Sequence, residues 1–334
     1  MILYIGNNVK SSNVTVMAQL SQLLRKEGYT VTVSSSKENQ FLRLFEMLFS
    51  VLKWSKQVDY VLIDTYSTKN FYYAFLVSQL CRVLKLKYIP ILHGGKLPTR
   101  LKSSPGLAKM IFNHSYINIA PSYYLKEAFE KENFSVKFIP NNIEVCKYEL
   151  KKRMLFKPNL LFVRSFSKIY NPQLAIQVLQ ELKKDYPTAS LCMVGPEKDG
   201  TLQECKELVN KLDLEDSVVF TGKLSKQAWH HLASEYDIFI NPTDFDNTPI
   251  SVIEAMALGL PVVSTNVGGM SYLIKNDIDG LLVEANNVLH MTNAVKSLIE
   301  TPSKAIKIVE QARVKVEGFD WKEVKKEWLS VLAS

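Results

Sequence analysis

The sequence lacks the features that define several large classes of protein. Its 334 residues contain no run of 18 or more apolar residues, so we expect no membrane-spanning helix. The beginning, MILYIGNN, has neither a basic segment nor a cleavage site, which argues against a secretory signal. The turn after the first predicted strand, GNNVKSSN, does not contain G-x-G-x-x-G, which disfavours a dinucleotide-dependent oxidoreductase.

Cysteine and histidine are scarce and unclustered. The four cysteines form no C-x-x-C pair, and the spacing of the five histidines matches no zinc site. We therefore expect reduced thiols in a cytoplasmic protein that holds no metal. The sequence also lacks a nucleic-acid recognition motif and a pattern of base-stacking aromatic residues, so we expect no nucleic-acid partner.

Acidic residues are few in the first part of the chain. Residues 1–140 contain 18 Lys or Arg and only 8 Asp or Glu, whereas the remaining residues contain 23 and 25. The net charge of +8 therefore arises from the first part alone. Such asymmetry indicates either an anionic partner, such as a phospholipid surface, or an ordinary solvated basic surface.

Short apolar segments alternate with helical patterns along the whole chain. These segments are apolar throughout, which is typical of parallel strands that are covered on both faces. The strand pattern lapses near residues 139–158 and then resumes, which predicts an α/β protein with two parallel sheets. We expect a first domain over 1–142, a second over 143–318, and a terminal helix over 319–334 that packs back toward the first domain.

The segment DFDNTPISVIEAMALGLPVVST (244–265) contains a short, strongly apolar helix pattern directly after a predicted strand. Asn247 or the threonine that follows it is expected to cap this helix, with Pro249 in the first turn. The free N–H groups of Ile250 and Ser251 should then open at the carboxyl edge of the sheet. This position predicts a binding site for a phosphate.

Two acids flank and enter this helix, and each has two interpretations. Glu254 lies on an apolar side, where a carboxylate needs partners; a ribose diol could supply two hydroxyl donors. Asp246 could reach a sugar attached beyond the phosphates. Alternatively, Asp246 is a secondary cap and Glu254 pairs with a basic side chain. The run DFD (244–246) could also hold a divalent ion, but the same spacing recurs by chance at 277–279, and we expect no metal.

The longer segment NPTDFDNTPISVIEAMALGLPVVSTNVGG resembles the signature of glycosyltransferase family 4, whose members are retaining enzymes with the GT-B fold. That signature has an acid, seven residues and a Glu, followed by A-M-A-x-G-x-P-V-V and a Gly pair; here Asp246 replaces the usual first Glu. The resemblance implies two Rossmann-like domains facing across a cleft. It also implies that Glu254 holds the nucleotide ribose, that Asp246 touches the donor sugar, and that no metal or other cofactor is required.

Two further segments of the second domain follow the layout of the family. Arg164 and Lys168 come just after the first strand of this domain, where fixed cations could stabilise a departing diphosphate. The alternative is that both are solvated loop cations. The resemblance places Gly222 and Lys223 near the nucleotide base, with contacts through the main chain.

The first domain offers candidates at the ends of two strands. His93 follows a strand in ILHGGK (91–96), and the resemblance implies a place near the donor sugar and the reacting centre. A lone histidine after a strand is otherwise a packed or solvent-facing side chain. Gly6 and Asn7 begin a loop that is glycine-rich in relatives; with Gly6 alone remaining, this loop binds a phosphate or shapes the acceptor site.

Two segments of the first domain combine large apolar and basic residues. Residues 40–54 predict an apolar helix with basic edges at Arg43 and Lys53, and residues 96–112 have a similar composition. Together they could rest on an anionic bilayer and receive a lipid-linked acceptor. The alternative is that both segments face the core of the first domain.

These observations together predict a hexosyltransferase that moves a sugar from a UDP-sugar or GDP-sugar to an acceptor hydroxyl, with retention of configuration. We expect it to serve cell-surface polysaccharide or glycolipid synthesis, in the cytoplasm or peripherally on the inner face of the membrane. Since no residue is a persuasive covalent nucleophile, front-face departure and attack is expected. Two alternatives stay open: a nucleotide-sugar epimerase on the same scaffold, and a non-catalytic nucleotide or polysaccharide binder.

Overall fold

The computed structural model describes residues 1–6, 15–35 and 37–333, which form two compact units. The first unit consists of Met1–Asn141 together with Val324–Ser334, and the second of Asn142–Glu323. Within the described residues, each unit is built on one six-stranded sheet in which all paired strands are parallel. The predicted α/β fold with two parallel sheets is therefore confirmed.

The strands coincide with the apolar segments of the sequence. The first sheet has the order β2-β1-β3-β4-β5-β6 and the second the order β12-β11-β10-β7-β8-β9. The strands are β1 (Ile2–Ile5), β2 (Val31–Ser34), β3 (Tyr60–Thr65), β4 (Lys87–Leu92), β5 (Asn118–Ala120), β6 (Val136–Phe138), β7 (Asn159–Val163), β8 (Ser190–Val194), β9 (Val218–Gly222), β10 (Ile238–Asn241), β11 (Val262–Thr265) and β12 (Leu281–Val283).

Helices connect the strands and cover the sheets. They are α1 (Val16–Lys26), α2 (Gln40–Trp54), α3 (Asn70–Val83), α4 (Leu97–Ser103), α5 (Pro105–Phe112), α6 (Tyr123–Glu130), α7 (Pro172–Leu182), α8 (Thr201–Lys211), α9 (Lys226–Leu232), α10 (Ile250–Ala257), α11 (Met270–Leu273), α12 (Val288–Glu300), α13 (Pro302–Glu317) and α14 (Trp321–Leu332). Within the described chain, no helix combines the length and apolar character that crossing a bilayer requires.

The central strands are buried along their whole length. Every residue of β1 and β3 is buried in the first unit, and every residue of β10 and β11 in the second. Helices on both faces exclude water from a parallel sheet, so both sides of each strand must be apolar. This burial explains why the strand segments are continuous apolar runs in the sequence.

Local signals set the ends of several helices. The Thr15 hydroxyl accepts from the Ala18 N–H at 3.1 Å and caps α1. The Asn39 side chain accepts from two N–H groups of the first turn of α2. A longer-range contact within the first unit joins Lys325 of α14 to Glu27, which follows the last residue of α1, at 3.2 Å. Each of these contacts satisfies a backbone group or a charge near a helix end.

The two segments that were considered for a membrane surface differ in the exposure of their apolar side chains. In 96–112 Leu97, Leu101 and Phe112 are buried in the first unit, as the core-facing alternative states, whereas Met110 is 40% exposed. In α2 one face is buried and the other is exposed. The prediction that Arg43 forms a basic edge was wrong, because its guanidinium is buried and donates to the carbonyls of residues 37 and 38.

The candidate residues follow strands in both units. In the first unit Gly6 follows β1 and His93 follows β4. In the second unit Arg164 follows β7, and the loop that contains Asp246 follows β10, the neighbour of β7 in the sheet. Ligands of such folds bind beyond the carboxyl ends of parallel strands. Each unit therefore presents its candidates at the edge where a ligand is expected.

Candidate functional site

The helix α10 begins with backbone donors that no side chain caps. Its N-cap is Pro249, which is extended (φ −70°, ψ 123°) and cannot accept a side-chain hydrogen bond. The prediction that Asn247 or Thr248 caps the helix, with Pro249 in the first turn, was therefore wrong, because the extended Pro249 itself stands at the cap position and the helix begins at Ile250. The N–H groups of Ile250 and Ser251 open the first turn, and such groups attract anions.

Ser251 adds a second polar group to this turn. Its hydroxyl oxygen is buried and has no hydrogen-bond partner in the part of the chain that the structure describes. A buried hydroxyl without a partner is costly, and unpaired groups of this kind occur where a ligand or ion completes the site. The first turn of α10 thus has unused hydrogen-bonding capacity in both backbone and side chain.

Glu254 lies one turn further along α10 and is surrounded by polar side chains. Only 3% of the residue is exposed. The Tyr148 hydroxyl donates to Oε1 at 2.9 Å, and Lys226 Nζ lies 2.5 Å from the same oxygen. His230 Nε2 lies 3.7 Å from Oε2, which is too long for a hydrogen bond. The alternative interpretation of Glu254, pairing with a basic side chain, is therefore observed.

The carboxylate of Glu254 keeps its charge despite its burial. Burial raises its pKa, but His230 and the Lys226 ammonium together outweigh burial, so the pKa lies below its ordinary value. Oε2 has no hydrogen bond within the described residues and can accept one from a ligand. An ionised, buried acceptor suits a hydroxyl-rich ligand such as a ribose.

The sequence analysis missed the three partners of Glu254. Lys226 and His230 are four residues apart on α9, and this spacing places both on one helix face. That spacing could have indicated a basic helix face near the donor site, because α9 comes shortly after the Gly222–Lys223 pair that was assigned to the base. Tyr148 gave no signal, since it contacts Glu254 across 106 positions of the chain.

Arg164 and Asp246 form an ion pair through Nη2 and Oδ2. The two side chains are only 15% and 13% exposed, and burial raises the pKa of Asp246 although Arg164 opposes that shift. The guanidinium carbon lies 4.0 Å from the ring centroid of Tyr170, and the Asn247 N–H donates to Asp246 Oδ1 at 2.9 Å. The pair forms because β7 and β10 are adjacent, which brings their carboxyl ends together.

The guanidinium of Arg164 retains an unused donor. Its Nε is buried and has no partner among the residues that the structure describes. A planar guanidinium with free donors binds phosphate oxygens well, because its fork of N–H groups matches their geometry. The predicted contact of Arg164 with a diphosphate is thus chemically compatible with its surroundings, although the solvated-cation alternative does not fit so buried a side chain.

The glycine pair of the signature holds the loop that contains Asp246. A Cβ atom at Gly268 would lie 2.1 Å from the Asp246 carbonyl oxygen, and one at Gly269 would lie 2.1 Å from that of Asn247. The Gly269 N–H donates to the Asp246 carbonyl at 2.8 Å. Side chains larger than hydrogen would therefore push the two backbone segments apart and move Asp246.

The remaining candidates of the second unit lie in nearby loops. Lys168 is exposed, with Nζ 3.7 Å from Glu204 Oε1, while its backbone N–H donates to Asp199 at 3.1 Å. Gly222 ends β9 in the left-handed region (φ 68°), and the exposed Lys223 follows it. Lys168 thus resembles a surface cation more closely than Arg164 does.

The described residues show no group of three or more His, Cys, Asp or Glu side chains that could hold a metal ion. The two acids of the DFD run have different partners. Asp244 accepts from the Asn171 side chain at 3.2 Å, whereas Asp246 pairs with Arg164.

In the first unit His93 is buried beside an acid. Its Nε2 lies 2.8 Å from Asp64 Oδ1, so the packed-side-chain alternative describes its surroundings. Gly6 lies against the same carboxyl group, since a Cβ at this position would meet Asp64 Oδ2 at 2.4 Å. Asn7, the other candidate of this loop, lies outside the described residues.

Solved structures show the class to which this fold belongs. The crystal structure of Anabaena HepE in complex with UDP is similar with a TM-score of 0.79, at 16% identity, over 99% of both chains. Sucrose-phosphate synthase from Thermosynechococcus elongatus is similar with a TM-score of 0.80, at 16% identity, over 99% of this chain and 97% of that one. The fold is therefore of the GT-B class, as predicted.

Sequence relatives define the family. Residues 151–315 match the family described as glycosyl transferases group 1. An uncharacterized glycosyltransferase of Haemophilus influenzae is 27% identical over 96% of this chain and 85% of its own length. The amylovoran biosynthesis glycosyltransferase AmsK of Erwinia amylovora is 29% identical over 52% of this chain and 44% of its own. Residues 151–315 therefore form a domain of the glycosyl transferases group 1 family, and the chain is a glycosyltransferase.

Proposed function

We propose that the protein transfers a hexose from a UDP-sugar or GDP-sugar to an acceptor hydroxyl, with retention of configuration and without a metal or other cofactor. The observation that carries this proposal is the ionised, buried Glu254 one turn from an uncapped helix start. Solved neighbours support it, since Anabaena HepE has been crystallised with UDP and with UDP-glucose.

The second unit binds the donor in this proposal. Glu254 accepts hydrogen bonds from the ribose, and the N–H groups of Ile250 and Ser251 bind the diphosphate. Arg164 donates hydrogen bonds to the same phosphates, whose negative charge grows as the glycosidic bond breaks. Because that charge is larger in the transition state than in the bound donor, Arg164 lowers the barrier more than it strengthens donor binding.

The other candidates complete the donor site. Asp246, held by Arg164, orients the donor sugar, and Asn247 stays in place through the glycine pair. Lys168 adds a more distant positive charge. Gly222 and Lys223 contact the base through their main chain.

The transfer step proceeds on one face of the sugar. The bond between the anomeric carbon and the diphosphate oxygen breaks as the bond to the acceptor oxygen forms on the same side. The proton of the acceptor hydroxyl passes to the departing diphosphate, so no covalent enzyme intermediate is required. His93 helps to orient the sugar at the reacting centre. The first unit receives the acceptor, with Gly6 and Asn7 in its acceptor or phosphate loop, and the product enters cell-surface polysaccharide or glycolipid synthesis.

A nucleotide screen tests the proposal directly. We expect UDP or GDP to raise the midpoint of thermal unfolding, since a ligand at about 100 times its Kd adds about 2.7 kcal/mol of stability. The matching nucleotide sugar should then glycosylate an acceptor in the presence of EDTA, and NMR of the product should show the anomeric configuration of the donor. Failure of both nucleotides to stabilise the protein would contradict the proposal, as would altered nucleotide sugar formed without an acceptor.

We further propose that α2 contacts an anionic membrane from which a lipid-linked acceptor is drawn. Phe41, Phe45 and Phe49 recur at helical spacing and are 77%, 69% and 65% exposed, while Met47 and Val51 face the core. Contiguous exposed apolar stripes mark interaction surfaces. Exposed Lys53 on α2 and the basic excess of residues 1–140 select a surface of negative charge.

Substitution of Phe45 and Phe49 tests the membrane contact. We expect F45S/F49S to bind phosphatidylglycerol vesicles more weakly by at least about a hundredfold in a sedimentation assay, because each buried Phe contributes about 1.5–3 kcal/mol. The control L289S/V314S removes two exposed apolar side chains from the second unit and should bind as the wild type does. Equal binding by wild type and F45S/F49S, or none by the wild type, would contradict the contact.

A further inference from the structure

A chain of buried hydrogen bonds joins three neighbouring strands of the first unit. Tyr4 in β1, Asp64 in β3 and His93 after β4 lie on strands that are adjacent in the sheet. The Tyr4 hydroxyl donates to Asp64 Oδ1 at 2.9 Å, and His93 Nε2 lies 2.8 Å from the same oxygen. Exposure is 0% for Tyr4, 8% for Asp64 and 7% for His93. The carboxyl group therefore joins the sheet interior to the candidate histidine.

The geometry indicates which atoms carry protons. Burial and the nearby Asp64 charge raise the pKa of Tyr4 well above its ordinary value, so its hydroxyl is protonated and donates. Asp64 Oδ1 is thus an acceptor, and the proton between Asp64 and His93 belongs on Nε2. A neutral histidine with its proton on Nε2 has a free electron pair on Nδ1. Within the described residues Nδ1 has no hydrogen-bond partner.

The surroundings hold both side chains in place. The rings of Tyr66 and His93 are stacked, with centroids 5.1 Å apart and an interplanar angle of 24°. Gly6 leaves room for the carboxyl group, because a Cβ there would lie 2.4 Å from Asp64 Oδ2 and 2.7 Å from Met17 Sδ. The ring and the carboxyl group are therefore fixed from several directions.

A buried carboxylate at this position is less favourable for folding than an apolar side chain would be. Removing a charged group from water costs several kcal/mol, and an apolar side chain of similar size would pack here at a lower cost. A carboxylate that hydrogen-bonds one nitrogen of a histidine instead fixes the orientation and the tautomer of the ring, as it does for histidines in metal sites. This chemistry explains a carboxylate at the end of an otherwise apolar strand.

We propose that Asp64 is a positioning residue, which holds the proton of His93 on Nε2 so that Nδ1 accepts a hydrogen bond from a sugar hydroxyl during transfer. The inference rests on the proposed function and adds a residue that the sequence analysis did not single out. It also gives Gly6 a role besides ligand binding, since Gly6 makes room for the carboxyl group.

Kinetics of single and double variants test this role. We expect D64N to lower kcat by about a hundredfold, a loss typical of a misplaced reacting group, with the KM for the donor unchanged. H93Q keeps a nitrogen near the position of Nε2 but lacks the Nδ1 acceptor, so it should lose a similar factor. Because Asp64 acts through His93, D64N/H93Q should be no slower than H93Q alone.

A matched control separates positioning from stability. Y88F removes another buried hydrogen bond of the same sheet, from Tyr88 in β4 to the carbonyl of Ile111 at 2.6 Å. We expect Y88F to unfold more easily while its kcat per folded molecule equals that of the wild type. If D64N keeps full kcat, or if the losses of D64N and H93Q multiply in the double variant, the proposal is overturned.

A spectroscopic measurement tests the tautomer in the unmodified protein. Nitrogen-15 NMR above neutral pH should show His93 with its proton on Nε2, and its signals are assigned by their absence in H93Q. Observation of the Nδ1-protonated form would overturn the proposal even if D64N does not fold. In the proposed function UDP or GDP binds to the second unit, so each variant should still be stabilised by the nucleotide. Loss of this stabilisation would count against the proposed function, whereas full kcat in a stabilised D64N would count against this inference alone.

Discussion

Replacing Arg164 by Ala lowers kcat/KM for sugar transfer by on the order of a thousandfold, the loss typical when a fixed charge at the reacting group is removed. The guanidinium lies at the carboxyl edge of the sheet with an unused Nε donor, and the departing diphosphate develops the charge that it binds. The same variant leaves Asp246 buried without its cation, which costs about 3 kcal/mol of folding stability. Activity is therefore expressed per folded molecule, with folding followed by thermal denaturation.

Two further variants separate the effects of R164A on stability and on chemistry. R164A/D246N removes the unpaired charge and should recover part of the lost stability but none of the lost activity. R153A breaks another buried pair of the second unit, in which Arg153 Nε donates to Asp237 Oδ1 at 2.9 Å. We expect R153A to be destabilised with unchanged kcat. Comparable activity losses in R153A and R164A would show that Arg164 has only a structural role.

Replacing Glu254 by Gln raises the Kd for the nucleoside diphosphate by about a hundredfold, because two hydrogen bonds to a charged acceptor are weakened at about 1.5 kcal/mol each. The carboxylate is ionised in spite of its burial, and Oε2 has no hydrogen-bond partner within the described residues. Gln keeps the shape of the side chain but presents an NH₂ group to at least one donor. Isothermal titration with UDP and GDP measures the change.

A buried acid elsewhere in the second unit provides the control for E254Q. Asp279 is 3% exposed, pairs with Lys315 and accepts from the Lys275 N–H at 2.7 Å. D279N should lower the unfolding midpoint and leave the Kd unchanged. An unchanged Kd in E254Q, or an equal rise in the Kd of D279N, would show that Glu254 does not bind the donor.

The sequence predicted those positions of the candidate residues that depend on local order along the chain. The signature segment identified Glu254 and Asp246 because both lie within one strand–loop–helix unit, and the strand order then explains why Arg164 meets Asp246. The start of α10 was misplaced because proline at the cap position removes the usual side-chain acceptor. Boundaries of this kind depend on one backbone angle that composition does not reveal.

Long-range contacts were beyond sequence reasoning. Tyr148 meets Glu254 across 106 positions and Asp64 meets His93 across 29, and no periodic pattern connects such residues. The bounds of α2 agree with the predicted helix over 40–54, but its exposed face could not be predicted. Both faces of that helix are apolar, so periodicity alone does not distinguish Phe45 from Met47.

The central claim, that Glu254 binds the ribose of the donor, is tested most directly by a binding cycle. Isothermal titration compares UDP with 2′,3′-dideoxy-UDP, or the GDP pair if GDP is the ligand, in wild type and E254Q. The account predicts that loss of the two hydroxyls weakens binding to the wild type about a hundredfold and binding to E254Q hardly at all. An equal penalty in both proteins would show that the ribose hydroxyls do not contact this carboxylate.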